Sequence, residues 1–313
     1  MTQKRATSRM ASPAVALIIL NYNRRDDTLA CLRSLQALSY PNARWLLVDN
    51  GSTDDSVERV RREFRNVDIL ETGDNLGFAA GNNVGLRAAL DAGADYLLLL
   101  NNDTEVAPDL LDVLIETCEA EPRIGVVGPK IYYHDRPDTL WSAGGLIDWR
   151  RGTSAMRGLD EVDRGQFDAS TDVDFVTGCA LLVRRAAVEQ AGLIDERFGM
   201  YFEETEWCVR IARGGWRIVY APNGRLWHKI RPAQQDTSPR ITYYMTRNRL
   251  LFLRLTNAPL RAWLHAILIQ DLRTWLSWKV KPRWRYRAPQ RAAMRRAWRD
   301  FIRQRFGMLA LKV

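Results

Sequence analysis

The sequence is poor in the residues that build disulfide frameworks and soft-metal sites. It contains 4 cysteines and 3 histidines among 313 residues. Cys31, Cys118, Cys179 and Cys208 lie far apart, without a CxxC pair or the spacing of metal ligands. Disulfide-rich secreted domains and zinc modules place cysteines at short intervals, so this pattern argues against both classes. We expect reduced, mostly buried thiols in a cytosolic chain.

Long apolar runs are also absent. Val15–Leu20 is the first apolar run, and it is far shorter than the roughly 20 residues of a spanning helix. The basic leader before it, residues 1–12, has no apolar core or cleavage site, so we expect a disordered tail rather than a signal peptide. No GxGxxG follows this run, which argues against an ordinary dinucleotide-binding fold. No Ser-His-Asp or Cys-His arrangement indicates a covalent nucleophile.

Acidic residues are scarce in the last quarter of the chain. Residues 231–313 carry 19 Lys and Arg against three Asp and Glu, which leaves 27 basic and 34 acidic residues in positions 1–230. The net charge of +9 is therefore the sum of an acidic body and a strongly basic extension. Such an extension points to phosphate groups, either of nucleic acid or of an anionic membrane surface.

Strand-like and helix-like stretches alternate through the first half of the sequence. This alternation predicts right-handed βαβ units in a mainly parallel, doubly wound sheet. The predicted strands are Val15–Leu20, Trp45–Val48, Val67–Leu70 and Tyr96–Leu100, and the predicted helices are Asp27–Leu38, Asp54–Phe64, Phe78–Ala92 and Pro108–Ala120. Further on we predict strands at Ile124–Tyr132, Phe175–Arg184 and Trp216–Tyr220, helices at Arg185–Ala191 and Glu203–Arg213, and a loop or hairpin across Trp141–Asp174.

The fourth predicted strand ends abruptly in a polar cluster formed by Asn101, Asn102 and Asp103. Ligands of open α/β sheets bind beyond the carboxyl ends of the strands, and an Asp beside carboxamides suits a hard cation. The alternative is a solvated turn that caps the next helix. Polar residues and glycines follow the other strands or open the third helix, and they should meet at the same rim: Asn21, Asn23, Asp49, Gly51, Asn75, Gly77, Gly81 and Asn82. Asp49 could accept a hydrogen bond from a pyrimidine ring N–H, or it could be a helix N-cap or a turn residue.

A second acidic group lies at Glu203, Glu204 and Glu206, where a helix is predicted to start. These carboxylates could simply complement the helix dipole. Alternatively, their aromatic and apolar neighbours could desolvate one of them and raise its pKa, as a general base requires. His228 follows the last predicted strand on the rim of Asp103, where it is either a structural histidine or a metal ligand.

Seven motifs in fixed order resemble glycosyltransferase family 2, in particular its rhamnosyltransferase-like branch of polysaccharide-assembly enzymes. The resemblance runs from Val15 to Lys229. The motifs are VALIILNYN, LLVDNGSTDDS, NLGFAAGNNVG, YLLLLNNDTEV, VTGCALLVRR, FGMYFEETEWCVRIARGGWRIVYAP and LWHK.

This resemblance implies a GT-A fold and an inverting transfer from a nucleotide-sugar. The metal motif of the family falls on Asn101, Asn102 and Asp103, so Asp103 would hold Mg²⁺ or Mn²⁺, although Asn replaces the first acid. His228 matches a histidine that completes the metal shell in some relatives. Asp49 matches the acid that contacts the base. The catalytic Glu-Asp pair falls on Glu203-Glu204, which places the general base at Glu204, with Glu203 as the alternative.

The extension should form helices, because apolar residues recur at intervals of three to four over Pro259–Val280. Tryptophans and cations in this stretch favour an amphipathic helix at a membrane interface. The alternatives are packing on the catalytic domain and binding of nucleic acid, and no recognition fold supports the latter. The motif YYMTRN at residues 243–248 resembles the opening of the same segment in the family, but no role follows from it.

We therefore expect a tail at 1–12, a GT-A catalytic domain at 13–230 and a basic helical extension at 231–313. The expected activity is transfer of a sugar, with rhamnose as the candidate, from a dTDP- or UDP-linked donor to a glycan or lipid-linked acceptor in cell-surface polysaccharide assembly. The expected place is the inner face of the cell membrane, without a nucleic-acid partner. The alternatives are a catalytically weak nucleotide-sugar-binding protein and a nucleic-acid-binding protein.

Overall fold

A computed structural model of the chain describes residues 12–230 and 238–309. The expected tail at 1–12 lies outside these residues except for Ser12, and the first seven residues of the expected extension lie outside them too. The four cysteines are all free and buried, as expected.

The first half of the chain folds as the alternation predicts. Strands β1, β2, β3 and β4 pair in parallel in the spatial order β3-β2-β1-β4, and helices connect them. The elements are β1 (Val15–Asn21), α1 (Arg25–Leu35), β2 (Ala43–Asp49), α2 (Ser56–Glu63), β3 (Val67–Glu71), α3 (Gly77–Asp91), β4 (Tyr96–Asn101), β5 (Thr104–Val106) and α4 (Leu110–Glu119).

The second half extends the sheet beyond β4 with mixed strand directions. Strand β11 lies antiparallel between β4 and β6, and β12 runs parallel to β6. The elements are β6 (Ile124–Tyr133), β7 (Leu140–Ser142), β8 (Gly145–Asp148), β9 (Thr153–Met156), β10 (Thr171–Asp172), β11 (Ala180–Arg184), α5 (Arg185–Ala191), α6 (Glu203–Arg213) and β12 (Arg217–His228). The expected hairpin in the central loop is the pair β8–β9.

Two of the predicted strands have different lengths in the structure. The strand predicted from Phe175 begins only at Ala180. The last strand does not end at Tyr220 but continues to His228, since a shift in register between Ala221 and Arg225 accommodates a turn-like Pro-Asn-Gly sequence. Such irregularities let a strand absorb extra residues without ending its pairing. His228 is consequently the last residue of β12 rather than a residue after it.

The sheet separates two hydrophobic cores because neighbouring side chains of a strand point to opposite faces. In β1, Ala16 and Ile18 belong to one core, whereas Leu17 and Ile19 belong to the other. Each core is covered by helices, so the architecture is a three-layer α/β fold with a mixed, mostly parallel sheet.

The extension is helical, but its helices differ in how they are buried. Its elements are α7 (Pro239–Leu255), α8 (Leu260–Leu264), a π-helical stretch (His265–Arg273), α9 (Thr274–Val280), a 3₁₀ turn (Pro282–Arg287) and α10 (Ala288–Ile302). The α7 residues Leu251, Phe252 and Leu253 are part of the core that contains Ile18. By contrast, α8, the π-helical stretch and α9 expose many apolar side chains. The predicted continuous helix over 259–280 contains the π-helical stretch because three-to-four spacing of apolar residues does not distinguish the two helix types.

Candidate active site

The carboxyl ends of β1, β2 and β4 lie side by side. In the parallel register Asn21 is opposite Asp49, and Leu20 is opposite Asn101. Polar residues that are separated by up to 80 positions in the sequence therefore share one rim of the sheet. This is the place where ligands bind in open α/β sheets.

Asn21 connects the polar residues of this rim, and its amide is fully used inside the protein. Its Nδ2 donates to Asp49 Oδ1 and to Ser56 Oγ, both at 2.8 Å. Its Oδ1 accepts from Thr28 Oγ1 at 2.9 Å and from Asn102 Nδ2 at 3.1 Å. Because Asn21 is completely buried, the geometry makes it a support for Asp49 and Asn102 rather than a direct contact to a ligand.

Asp49 is held by its neighbours on both carboxylate oxygens. Oδ1 accepts from Asn21, and Oδ2 accepts from the backbone N–H of Ser52 at 2.9 Å. The second contact closes a turn, so Asp49 has the turn role that was one of the alternatives for this residue in the sequence. A carboxylate oxygen accepts more than one hydrogen bond, so this arrangement leaves Asp49 able to accept one from a base.

The loops beside Asp49 form the wall of the rim. Asn23 has a left-handed backbone with a φ of 52°, and its Oδ1 accepts from the backbone N–H of Thr53 at 2.7 Å. Gly51 has a φ of 78°, and a Cβ there would lie 2.7 Å from the carbonyl carbon of Asp74. Only glycine combines this backbone conformation with so close an approach of two loops.

The predicted residues at the start of α3 have structural contacts. Asn75 Oδ1 accepts from the backbone N–H of Gly77 at 3.0 Å, and Asn82 Nδ2 donates to the carbonyl of Phe78 at 2.9 Å. A Cβ on Gly81 would lie 2.7 Å from Leu20 Cδ1, so this glycine lets α3 approach β1. These residues shape the rim, and at least one amide atom of each asparagine is engaged in a contact within the protein.

Gly77 lies where the C-terminal segment crosses the start of α3. Its φ is 86°, and a Cβ there would lie 2.4 Å from Met308 Cγ. The next residue, Phe78, donates its backbone N–H to the carbonyl of Gly199 at 2.9 Å. Gly77 therefore belongs to a contact between three segments rather than to an open glycine loop.

Asp103 and His228 are in direct contact, although 125 positions separate them. Strand β5 pairs with the end of β12, and this pairing places His228 Nε2 3.0 Å from Asp103 Oδ1. Burial opposes ionisation of Asp103, but the hydrogen bond and the charge of His228 outweigh it and lower the pKa of the carboxyl. His228 Nδ1 is buried without a hydrogen-bond partner among the described residues.

This pair could supply part of the shell of a divalent cation. Within residues 12–230 and 238–309, no group of three or more His, Cys, Asp and Glu residues could hold a metal ion on its own. Mg²⁺ is commonly held by one or two carboxylates, with phosphate oxygens and water as the other ligands. One carboxylate and one imidazole fit such a shared site, whereas they do not fit a site built only from protein ligands. Asn102 does not face this pair, since its Nδ2 donates to Asn21 and to Thr28.

Glu203 and Glu204 open helix α6 from a strained turn. Tyr201 and Phe202, directly before them, have φ values of 70° and 72°, which residues with side chains rarely adopt. The Oε2 atoms of Glu203 and Glu204 are both buried without a hydrogen-bond partner in the described part of the chain. Buried carboxylate oxygens without partners are costly, and such features concentrate at functional sites.

Burial raises the pKa of both carboxyls, and the nearby charge of Glu204 raises the pKa of Glu203 further. Hydrogen bonds from the backbone, including one from Gly178, partly offset the effect of burial on Glu204. Glu203 is 4% exposed, while Glu204 is more accessible. Of the two, Glu204 is therefore the carboxyl that loses its proton first as the pH rises, while the pKa of Glu203 is raised further.

The acid pair adjoins the rim through the segment before β11. A Cβ on Gly178 would lie 3.7 Å from Glu204 Cβ. The next residue, Cys179, accepts a hydrogen bond on its carbonyl from the backbone N–H of Asn101 at 2.9 Å. Glu204 therefore lies close to the carboxyl end of β4.

Four residues of this site were not predicted from the sequence. Thr28 and Ser56 hold Asn21, and no sequence signal distinguishes them from ordinary helix residues. Arg247 and Asn248 bind the loop that precedes Glu203. The YYMTRN motif marked these two residues in the sequence. Their role could not be predicted, because it depends on contacts with residues about 50 positions earlier in the chain.

The solved structures that resemble this chain define its class by fold. A mannosyltransferase from Pyrobaculum calidifontis, solved with GDP-Man and Mn²⁺, superposes with a TM-score of 0.60 at 16% identity and covers 94% of this chain and 88% of its own. GalNAc-T7, solved with UDP, GalNAc and Mn²⁺, gives a TM-score of 0.57 at 14% identity, with coverage of 85% and 58%. The fold is GT-A, as the sequence motifs predicted.

The sequence relatives are more specific. An N-acetylglucosaminyl-diphospho-decaprenol L-rhamnosyltransferase of Mycobacterium tuberculosis is 30% identical over 207 residues, which are 58% of this chain and 65% of the relative. The dTDP-rhamnosyl transferase RfbF of Shigella flexneri is 23% identical over 267 residues, with coverage of 83% and 86%. The chain thus spans just under two thirds of the length of the mycobacterial relative.

The family model described as Glycosyl transferase family 2 matches residues 16–192, more than half of the chain. The chain belongs to glycosyltransferase family 2. The predicted resemblance to the family and to its rhamnosyltransferase-like branch is confirmed.

Proposed function

We propose that the chain is an inverting glycosyltransferase that uses Glu204 as its general base. The observation that carries this proposal is the pair of carboxyls beside the carboxyl end of β4, each with one buried oxygen that has no hydrogen-bond partner among the described residues. A carboxylate in such surroundings binds a proton more strongly than one in water. It can therefore accept the proton of a hydroxyl group that has entered the site.

The proposed reaction is a single displacement. The acceptor hydroxyl oxygen attacks the anomeric carbon of the donor and transfers its proton to Glu204. The bond between that carbon and the diphosphate oxygen breaks on the opposite face, so the configuration inverts. The bonding electrons leave with the nucleoside diphosphate. Asn21 holds Asp49 for contact with the base of the donor.

Asp103 and His228 would hold a divalent cation, Mg²⁺ or Mn²⁺, together with the diphosphate of the donor. When bound, the cation would neutralise negative charge on the leaving diphosphate. The neighbouring structures that contain Mn²⁺ support this choice for the present chain. The lowered pKa of Asp103 keeps its carboxylate ionised at neutral pH, as binding of a cation requires.

The names of the relatives support a dTDP-linked rhamnose as donor and a lipid-linked glycan as acceptor. One relative is a dTDP-rhamnosyl transferase, and another is a rhamnosyltransferase named after a decaprenol-diphosphate-linked acceptor. UDP-linked sugars are the second class of donor to test. We infer that the product is a step in the assembly of a cell-surface polysaccharide.

The purified chain should release one nucleoside diphosphate from a panel of nucleotide-sugars in the presence of Mn²⁺ or Mg²⁺. Slow donor hydrolysis does not require the acceptor, so the panel identifies the donor directly. EDTA should abolish the release, and dTDP-rhamnose should be the preferred donor. Donor binding in calorimetry without turnover, even when lipid-linked acceptors are added, would favour the catalytically weak binding protein. The absence of both binding and turnover would contradict the proposal.

We further propose that the extension docks on an anionic membrane surface, at the inner face of the cell membrane. Apolar side chains at every fourth position from Leu260 to Val280 are exposed, including Leu268 at 49% and Leu276 at 43%. Arg261, Lys279 and other cations lie among them. No helix in residues 12–230 or 238–309 is long and apolar enough to cross a membrane. An exposed apolar stripe with cations suits the interface of an anionic bilayer.

Replacing Leu268 and Leu276 together with Glu should weaken binding to vesicles that contain phosphatidylglycerol by about tenfold or more. Each buried leucine contributes roughly 1.5–3 kcal/mol, and 1.4 kcal/mol corresponds to a tenfold change. Co-sedimentation measures this binding, with Leu159→Glu as the matched control because Leu159 is equally exposed but lies in the body. Equal binding of all variants, or binding of single-stranded nucleic acid in preference to vesicles, would rule out the membrane surface.

A further inference from the structure

The turn before the acid pair is unfavourable unless other residues hold it. Tyr201 and Phe202 both have positive φ values, and neither is glycine. Such a strained backbone conformation is unfavourable and persists only where the surroundings fix it. Because Glu203 and Glu204 follow directly, whatever holds this turn also determines where their carboxylates point.

Asn248 binds the loop that contains this turn. It is completely buried in α7, and its Nδ2 donates to three backbone carbonyls. These are the carbonyls of Phe198 at 2.9 Å, Met200 at 2.7 Å and Tyr201 at 2.9 Å. One amide thus fixes the backbone over four consecutive positions that end one residue before Phe202.

Arg247 binds the same loop from the neighbouring position and orients Asn248. Its Nε donates to Asn248 Oδ1 at 2.9 Å, which directs the Nδ2 of that amide toward the loop. Its two terminal nitrogens donate to Phe198 at 2.8 Å, Arg197 at 3.2 Å and Gly307 at 2.9 Å, in each case to the backbone carbonyl. The side chain is 1% exposed.

The partners of Arg247 are unusual for a buried charge. The hydrogen bonds of its guanidinium go to backbone carbonyls, to Asn248 and to the hydroxyl of Tyr243, and its ring contacts are with Tyr243, Tyr244 and Phe306. Burying a charge among neutral partners is costly, and a hydrophobic residue in this place would avoid that cost. A hydrophobic side chain, however, could not donate hydrogen bonds. The rigid, planar guanidinium of Arg247 donates to the loop and to the C-terminal segment at the same time, and it thereby connects both to α7.

We propose that Arg247 and Asn248 are positioning residues that hold the 197–202 loop and thereby aim the base carboxylate. This inference rests on the proposed function only for its catalytic consequence, because the contacts to the loop exist whatever the reaction is. It assigns a role to the YYMTRN motif, and it makes helix α7 of the extension a part of the active site.

The first test measures the loop itself. Amide hydrogen exchange of residues 197–206, followed by mass spectrometry, should accelerate at least tenfold in Arg247→Met and in Asn248→Ala. The matched control is Arg184→Met. Arg184 also lies over a tyrosine ring, Tyr96, at 5.1 Å, and donates to the backbone carbonyls of Cys118 and Ile124, but it lies at the opposite end of β4. Arg184→Met should leave exchange in the 197–206 segment unchanged.

The second test measures the catalytic consequence on the folded fraction of each variant. Asn248→Ala should lower kcat by about 10²-fold, since a misplacement of about 1 Å costs that much, while KM for the donor changes less than threefold. Arg247→Lys keeps the charge but lacks the fork, and it should fall between wild type and Arg247→Met. If Arg247→Met does not fold, Asn248→Ala and Arg247→Lys provide the same comparison.

The outcomes separate this inference from the proposed function. Accelerated exchange in both loop variants, with Arg184→Met unchanged, supports the loop contacts even if no sugar transfer is found. Unchanged exchange would overturn the inference, as would a loss of thermal stability with kcat of the folded enzyme intact. A wild-type chain that neither binds nor turns over any donor would instead overturn the proposed function.

Discussion

Glu204→Gln is expected to lower kcat for sugar transfer by about 10²- to 10⁴-fold, the usual contribution of a general base. Gln has the size of Glu but accepts no proton, so donor binding should stay within about twofold of wild type. Single-turnover assays with donor and acceptor, together with donor titration by calorimetry, separate the two effects. Glu203→Gln is the matched variant, because Gln resembles the protonated acid that the further raised pKa of Glu203 favours, and its loss should be below tenfold. The reverse order of the two losses would move the base to Glu203.

The activity is also expected to depend on pH, and the same two variants test this dependence. Burial raises the pKa of Glu204 above its ordinary value of 4.5, and only the ionised form accepts a proton. Activity should therefore be full at high pH and fall as the pH drops through this raised pKa, at a higher pH than an exposed Glu would give. In Glu204→Gln the residual rate should lack this acidic limb. In Glu203→Gln the limb should move, since the two carboxyls influence each other.

Asp103→Ala is expected to abolish the dependence of turnover on Mn²⁺ and to lower the rate of donor hydrolysis by about 10²- to 10³-fold. The basis is the several kcal/mol that a cation at the leaving diphosphate contributes. In the Asp103–His228 pair only the carboxylate carries a negative charge. Its removal would leave the imidazole of His228 as the only one of these two groups that could hold the cation. Rates measured across a Mn²⁺ titration check this expectation.

The matched control for Asp103→Ala is Glu105→Ala. Glu105 lies two residues further along the chain, in β5, and forms ion pairs with Lys229 and His134 rather than with His228. This variant should retain the metal response. A metal-dependent rate in Asp103→Ala equal to that of wild type would exclude Asp103 from the cation site.

The sequence was sufficient to predict the elements of the parallel half of the sheet because their signal is local. Short apolar runs such as Tyr96–Leu100 alternate with stretches of helical periodicity. Each of the strands β1 to β4 begins and ends within a few residues of the bounds predicted from the sequence. The length of β12 was not predictable in this way. The Pro-Asn-Gly at 222–224 has the composition of a turn, and only pairing with the distant β6 keeps the chain extended through it.

The site shows the same difference between local sequence signals, which could be used for prediction, and contacts between distant residues, which could not. Motifs at strand ends were enough to predict that Asp49 and Asp103 share one rim of the sheet, whereas the acid pair was predicted at the start of a later helix. They did not reveal that Asn21 is occupied by partners inside the protein, because those partners lie on two other elements. The side chains with conspicuous positions in the sequence are in several cases supports.

The part of the chain that matches the family and the part that packs into one core do not coincide, because α7 is buried in that core. The family match ends at residue 192, before the acid pair, whereas the core around Ile18 is completed by Leu251, Phe252 and Leu253. A chain ended after residue 230 would contain every recognisable motif of the family except the one at 243–248. It would nevertheless lack the part of this core that α7 supplies, together with the hydrogen bonds of Arg247 and Asn248 to the 197–202 loop. Sequence comparison and core packing therefore divide this polypeptide at different points, since the core around Ile18 includes side chains far beyond the end of the family match.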